Sequence, residues 1–196
     1  MNLPDKITLV RVALAPVFLI LFYIANNTEN FVLKNFIIIL LWVFFVIMEL
    51  SDLFDGMAAR RLKQTSDLGK LFDPFADSFS RITYFFCFLL AGIMNFWMFI
   101  IILYRDLIVS FLRQYLSTRN LVMGAKWSGK IKAWIYAAGG ICGIFYFSVK
   151  KLLIFVEQHV IINIVSQSVF GMCTVIALVS LLDYLIFFVK NAKKVK

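Results

Sequence analysis

The chain has 196 residues, of which 62% are hydrophobic and 16% are charged, and its formal net charge is +9. A soluble domain is about half apolar and roughly a quarter charged, so a soluble globular fold, which could not bury this much apolar surface, is excluded. In a soluble protein the basic balance would indicate nucleic acid binding; in a membrane protein it indicates anionic lipid headgroups and phosphorylated substrates, and we expect no nucleic acid partner.

Several apolar stretches are long enough to cross a bilayer as helices, which takes about 20 mostly apolar residues. In chain order the candidates are 7–25, 32–58, 71–92, 94–116, 131–149 and 160–189. The second stretch becomes polar from Glu49 onward and the third begins with polar residues, so we expect the chemistry near the loop between them. The sequence predicts an all-α integral membrane protein with six transmembrane helices and one domain over residues 1–196.

The distribution of Lys and Arg predicts the orientation in the membrane. Basic residues concentrate near the N-terminus, between the second and third stretches, in and after the fourth, and in the tail. The other side of a six-span arrangement receives Lys34, Lys150 and Lys151. Because cytoplasmic loops carry an excess of Lys and Arg, we expect a multi-pass protein of the inner or plasma membrane. Both termini, the loop of the motif and the active site should face the cytoplasm.

The stretch 52–77 contains four aspartates that we interpret as metal ligands. Asp52 and Asp55 are three residues apart and Asp73 and Asp77 are four apart, so each pair shares one helix face. An ionised Asp near the bilayer centre costs about 2.5–3.5 kcal/mol, so such a cluster needs positive charge among it. Hard divalent ions prefer carboxylates, and four carboxylates could hold two Mg²⁺ or Mn²⁺ ions, which can clamp both oxygens of an in-line phosphoryl displacement.

Small and basic residues accompany these aspartates. Gly56 and Gly69 leave open backbone where a nucleotide could approach. Ala59 is also small, and Arg60 offers a planar fork for phosphate. The alternative is that the aspartates are exposed at helix ends and form caps and salt bridges with neighbouring basic residues. That alternative is weak for all four aspartates together, given their face-sharing spacing.

The order of these residues is specific. It reads Asp52-x2-Asp55-Gly56-x2-Ala59-Arg60-x8-Gly69-x3-Asp73-x3-Asp77. This pattern resembles the signature of the CDP-alcohol phosphatidyltransferase family at every fixed position, and the six-span layout is similar to that family. The resemblance implies that Asp52, Asp55 and Asp73 bind metal, and that Asp77 is both a metal ligand and the general base.

The same resemblance implies the substrates and the reaction. It assigns CDP-diacylglycerol binding to residues of the motif and of the N-terminal segment, namely Asn2, Pro4, Thr8, Gly56, Ala59, Arg60, Ser66 and Gly69. Asp77 would take the proton from an acceptor hydroxyl, the resulting alkoxide would attack the lipid-side phosphorus, and CMP would leave. A homodimer is also implied by the resemblance.

Two segments bear on the acceptor. The N-terminal Asn-Leu-Pro-x-x-Ile-Thr-x-x-Arg segment and the later run from Arg105 to Lys132 resemble the phosphatidylglycerophosphate synthase branch of the family. Arg105, Arg113, Lys130 and Lys132 form a basic group that could hold the phosphate of glycerol 3-phosphate. The alternative is ordinary positive-inside charge. It applies less well to Arg105, which lies within an apolar span and needs a partner such as Asp106 or one of the motif carboxylates.

Other functions remain open at this point. The same chemistry could use inositol phosphate, serine or phosphatidylglycerol as acceptor, although a basic phosphate site argues against serine. A cation transporter could use the aspartates as an ion path, but they lie near one membrane face and no inverted repeat is evident. A structural membrane protein without chemistry is the remaining alternative.

Overall fold

A computed structural model describes the backbone of residues 3–62, 67–118 and 127–191, and side chains over 8–51, 74–116, 129, 131–155 and 157–190. Within these ranges the chain is all-helical. The six α-helices are α1 (Leu3–Asn27), α2 (Phe31–Leu62), α3 (Asp67–Leu90), α4 (Phe96–Thr118), α5 (Trp127–Leu152) and α6 (His159–Asn191). A short 3-10 turn, Val156–Gln158, precedes α6. The prediction of an all-α protein is confirmed.

The helix boundaries differ from the predicted spans mainly at the polar ends. The second predicted span ends at residue 58, whereas α2 continues to Leu62 and carries the first half of the aspartate motif. The fifth begins at residue 131, whereas α5 begins at Trp127. A helix satisfies its own backbone hydrogen bonds whether or not its side chains are apolar, so hydropathy alone marks these helices as shorter than they are.

Among the residues with described side chains, four helical stretches are long and apolar enough to cross a membrane: Thr8–Asn27, Phe31–Ser51, Ile131–Leu152 and His159–Lys190. Helices α3 and α4 are not among these stretches, and the side chains of α3 are described only from residue 74 onward. Both carry charged residues within the helix, such as Arg81 in α3 and the neighbours Arg105 and Asp106 in α4. All three of these side chains are buried in the bundle. Charged groups also reach the interior from α1, through Arg11, and from α5, through Lys132.

Lysines on α5 show how the helices alternate. Lys151 Nζ donates to the Asn26 carbonyl at the end of α1 at 2.7 Å, and Lys150 Nζ donates to the Ala91 carbonyl just after α3 at 3.2 Å. The C-terminal ends of α1, α3 and α5 therefore meet at one end of the bundle. The opposite end receives the start of α3 and α5 and the end of α2, α4 and α6. The aspartate motif and the basic group of α4 and α5 consequently lie at the same end.

Helix α5 packs against α2, α3 and α6 at the centre of the bundle. Its glycines make this approach close: a Cβ on Gly143 would lie 2.3 Å from the ring of Phe88, and one on Gly140 would lie 2.5 Å from the ring of Phe45. Any side chain at these positions would overlap buried aromatic rings. These two glycines therefore allow α5 to approach α2 and α3 closely.

Candidate active site

A cavity of about 130 Å³ lies between α3, α4 and α5 at the end of the bundle that carries the motif. Among the described residues, its charged lining consists of one carboxylate and four cations: Asp77, Arg81, Arg105, Arg113 and Lys132. Ser78, Ser110 and Gly129 add small and polar surface. The three helices thus bring the last aspartate of the motif and three of the four predicted acceptor-phosphate residues to one pocket.

Asp77 is held in the pocket by an ion pair within its own helix. Arg81 follows one turn later on α3, and its Nη2 lies 3.0 Å from Asp77 Oδ1. A spacing of four residues places the two side chains next to each other on the helix surface. The Asp77 side chain is 27% exposed whereas Arg81 is 3% exposed. Arg81 therefore orients the carboxylate from inside the bundle and leaves part of it open to the cavity.

A buried carboxylate on α4 holds two of the cations. Asp106 Oδ1 accepts hydrogen bonds from Arg105 Nη1 at 2.7 Å and from Lys132 Nζ at 3.0 Å, and the Asp106 side chain has no exposure. Of the two kinds of partner expected for Arg105, Asp106 or a motif carboxylate, the structure shows the pair with Asp106. Lys132 Nζ also lies 4.7 Å from the centroid of the Tyr136 ring, within cation–π range. This ion-pair network ties α4 to α5 behind the pocket.

Residues of α6 complete the support of the arginines. Arg105 Nη2 donates to Ser180 Oγ at 2.5 Å. Arg113 donates to the hydroxyl of Tyr184. Sequence reasoning missed Ser180 and Tyr184, because they belong to no motif and face α4 only through the packing of α6. A tyrosine within an apolar stretch was the available signal, since a phenol that becomes buried usually finds a hydrogen-bond partner.

Helix α1 is tied to the start of the motif. Arg11 is 2% exposed, and its Nε donates to Ser51 Oγ at 3.1 Å, one residue before Asp52. Thr8, one of the predicted CDP-diacylglycerol residues, is fully buried three residues earlier on the same helix. The N-terminal segment and the motif are thus neighbours at this end of the bundle.

A model of the CDP-alcohol phosphatidyltransferase family matches residues 1–179. The chain belongs to the CDP-alcohol phosphatidyltransferase family. The prediction from the aspartate motif is therefore confirmed, and the chain is a phosphatidyltransferase rather than a transporter or a structural protein. With its apolar helices, this phosphatidyltransferase is a membrane protein.

Several relatives of this phosphatidyltransferase carry a more specific name. It is 29% identical to a CDP-diacylglycerol–glycerol-3-phosphate 3-phosphatidyltransferase of Treponema pallidum, over 100% of this chain and 93% of the relative. It is 32% identical to the protein of the same name in Bacillus subtilis, over 68% of this chain and 71% of the relative. A probable phosphatidylglycerophosphate synthase of Mycobacterium tuberculosis is 29% identical over 69% of this chain and 62% of the relative.

Most other predicted site residues of the phosphatidyltransferase have no described side chain. Asn2 and Ser66 lie outside the described residues, and the side chain of Lys130 does as well. For the rest only the helix is described, which is α1 for Pro4, α2 for Asp52, Asp55, Gly56, Ala59 and Arg60, and α3 for Gly69 and Asp73. Among the described side chains, no group of three His, Cys, Asp or Glu could hold a metal ion. Three of the four predicted ligands are outside that set.

The donor chemistry at Asp77 suits a hard divalent cation. Its carboxylate is partly open to the cavity, and Asp73 precedes it by one turn of the same continuous helix. Asp52 and Asp55 likewise share a face of α2, which is helical through Leu62. Oxygen donors of this kind are the ligands that Mg²⁺ and Mn²⁺ prefer.

Proposed function

We propose that this phosphatidyltransferase moves the phosphatidyl group of CDP-diacylglycerol to glycerol 3-phosphate, giving phosphatidylglycerophosphate and CMP. The observation that carries the proposal is the cavity in which Asp77 shares one space with Arg105, Arg113 and Lys132. Such a cavity can bind a phosphate on one side and receive a hydroxyl on the other. The names of the relatives from Treponema pallidum and Bacillus subtilis support the same acceptor.

The reaction follows from the roles of these residues. Arg105, Arg113 and Lys132 bind the acceptor phosphate by charge-assisted hydrogen bonds, which are shorter and stronger than neutral ones. Asp77 takes the proton of the acceptor hydroxyl. A bond forms between that oxygen and the lipid-side phosphorus of CDP-diacylglycerol, and the bond from this phosphorus to the bridging oxygen of the diphosphate breaks. CMP leaves with that oxygen, and positioning and electrostatics provide most of the rate.

The CDP-alcohol phosphatidyltransferases use divalent metals, and we propose two Mg²⁺ or Mn²⁺ ions held by Asp52, Asp55, Asp73 and Asp77. When bound, such ions neutralise charge on the transferring and leaving oxygens. The hard-oxygen donor set and the face-sharing helical positions support this assignment.

Removing the metal tests this part of the proposal. We expect EDTA followed by gel filtration to abolish CMP release, and Mg²⁺ or Mn²⁺ to restore it and to raise the melting temperature of the wild type but not of Asp55→Asn. A ligand that binds only the folded state raises its stability. Undiminished CMP release from protein in which mass spectrometry detects no metal would contradict the proposal.

We assign CDP-diacylglycerol binding to the N-terminal segment and the motif, through Asn2, Pro4, Thr8, Gly56, Ala59, Arg60, Ser66 and Gly69. The hydrogen bond from Arg11 on α1 to Ser51 on α2 supports a common site, because it joins the two segments.

The six helices are proposed to span the membrane as one domain over residues 1–196, with both termini and the cavity at the cytoplasmic face. The alternation of the helices and the excess of Lys and Arg at the cavity end support this orientation. A membrane-impermeant label that reaches cysteines placed at position 29 from outside intact cells, but not at position 190, would agree with it. The homodimer stays a prediction.

The acceptor is tested by CMP release from CDP-diacylglycerol in detergent with Mg²⁺ or Mn²⁺. Glycerol 3-phosphate, inositol phosphate, serine and phosphatidylglycerol are offered separately, and we expect release with glycerol 3-phosphate. In Arg113→Gln we expect the KM for glycerol 3-phosphate to rise about 10- to 100-fold, the usual effect of losing a hydrogen bond to a charged group. Lys190→Gln is the control, because Lys190 is an exposed cation near the end of α6, outside the cavity.

Release with another acceptor would keep the chemistry and reassign the product. If folded protein that retains metal releases no CMP with any of the four acceptors, the proposed function is wrong.

A further inference from the structure

The end of α6 contacts both arginines of the cavity, although the family match stops at residue 179. Ser180 accepts a hydrogen bond from Arg105, and Tyr184, one turn later, accepts one from Arg113. Ser180 and Tyr184 are fully buried and lie behind the wall of the cavity rather than in it. They contact the guanidinium groups of two residues that line the cavity.

One aromatic ring serves both arginines. The guanidinium carbon of Arg113 lies 5.0 Å from the centroid of the Tyr184 ring, and that of Arg105 lies 5.7 Å from it. Both distances are within the cation–π range of about 6 Å. The ring itself packs with Val109 and Leu112 of α4 in a small apolar cluster. Its position is thus determined by the α4–α6 interface and not by the ligand.

Arginine side chains that are held in place before the ligand arrives bind it more tightly. Arginine has many rotamers, and a side chain already restrained in its bound orientation loses less entropy when the ligand arrives. Arg105 is also incompletely satisfied: its Nε is buried and has no hydrogen-bond partner among the described residues. A buried donor without a partner calls for an acceptor, and an anionic oxygen in the cavity is of the right chemistry.

We propose that Ser180 and Tyr184 are positioning residues that hold Arg105 and Arg113 in the orientation that binds the acceptor phosphate. Helix α6 thereby sets the affinity of the enzyme for a phosphorylated acceptor. This inference rests on the proposed function. A role in helix packing alone would change the stability of the protein without a selective effect on the acceptor.

Kinetics of Tyr184→Phe and Ser180→Ala separate these roles. Tyr184→Phe keeps the ring and removes the hydroxyl that accepts the hydrogen bond from Arg113. We therefore expect the KM for glycerol 3-phosphate to rise roughly tenfold. The kcat and the KM for CDP-diacylglycerol should stay unchanged. In the Arg113→Gln background the same change should add little, because coupled residues are not additive. Matched controls are Tyr104→Phe, exposed on α4, and Ser168→Ala, exposed on α6.

A second measurement does not use turnover. Phenylglyoxal modifies arginine, and mass spectrometry of the purified protein reports the rate at Arg113. We expect Arg113 to react several-fold faster in Tyr184→Phe than in the wild type, and inorganic phosphate to protect it less. If Tyr184→Phe does not fold, Arg105 in Ser180→Ala provides the same comparison.

An unchanged acceptor KM together with unchanged modification and protection would overturn the positioning role. If the wild type releases no CMP with glycerol 3-phosphate, the proposed function fails, and the modification rates still decide whether α6 positions the arginines.

Discussion

Replacing Asp77 with asparagine is expected to lower the rate of CMP release at least about a hundredfold, because a positioned general base contributes roughly 10²–10⁴ in rate. Asparagine has nearly the same shape as aspartate but accepts no proton at neutral pH and is a poorer ligand for a divalent ion. The measurement is CMP release at saturating CDP-diacylglycerol and glycerol 3-phosphate. The loss should appear in kcat, since the change removes an interaction of the transition state.

The ion pair with Arg81 makes a folding control necessary, because Asp77→Asn also weakens the contact at 3.0 Å. The melting temperature of the variant should stay close to that of the wild type. Glu157→Gln is the matched control, because Glu157 is an exposed carboxylate just before α6, at the other end of the bundle. Folded Asp77→Asn that keeps more than about a tenth of the wild-type rate would exclude Asp77 as the base, given the size of such effects.

Replacing Asp106 with alanine is expected to lower the free energy of unfolding by about 3–5 kcal/mol, the usual result of removing one partner of a buried ion pair. The reason is that Arg105 and Lys132 are 4% and 7% exposed and both donate to Asp106 Oδ1. Without the carboxylate, two buried cations would lose the negative charge to which they donate hydrogen bonds. The measurement is reversible unfolding in mixed micelles, followed by circular dichroism.

Two further variants locate the cause of that loss. Asp106→Glu keeps the charge and should keep most of the stability. Adding Lys132→Met to Asp106→Ala should recover part of it, because an uncompensated buried charge is then replaced by an apolar side chain of similar length. If Asp106→Ala is as stable as the wild type, the network of Arg105, Asp106 and Lys132 does not hold α4 and α5 together.

The order and type of the elements could be predicted from the sequence alone. Apolar stretches of spanning length mark each helix locally, and the motif from Asp52 to Asp77 identifies the family because its residue types and spacing are local as well. The pairing of Arg105 with a carboxylate was predictable for the same reason, since Asp106 is its neighbour in the chain. The exact ends of α2 and α5 could not be predicted, because both helices continue into polar residues that a hydropathy pattern does not assign to a span.

The composition of the cavity depended on tertiary packing. Arg113 and Tyr184 are 71 residues apart, and Arg105 and Ser180 are 75 residues apart. Apolar residues predominate all around α6, so hydropathy does not distinguish the face that meets α4 from the face that meets lipid. By itself, the sequence determined that the protein lies in a lipid bilayer, that it is helical and to which family it belongs. Only the packing of α3, α4, α5 and α6 decided which charges share a cavity with Asp77, because such contacts depend on how closely helices approach, as at Gly143 and Phe88.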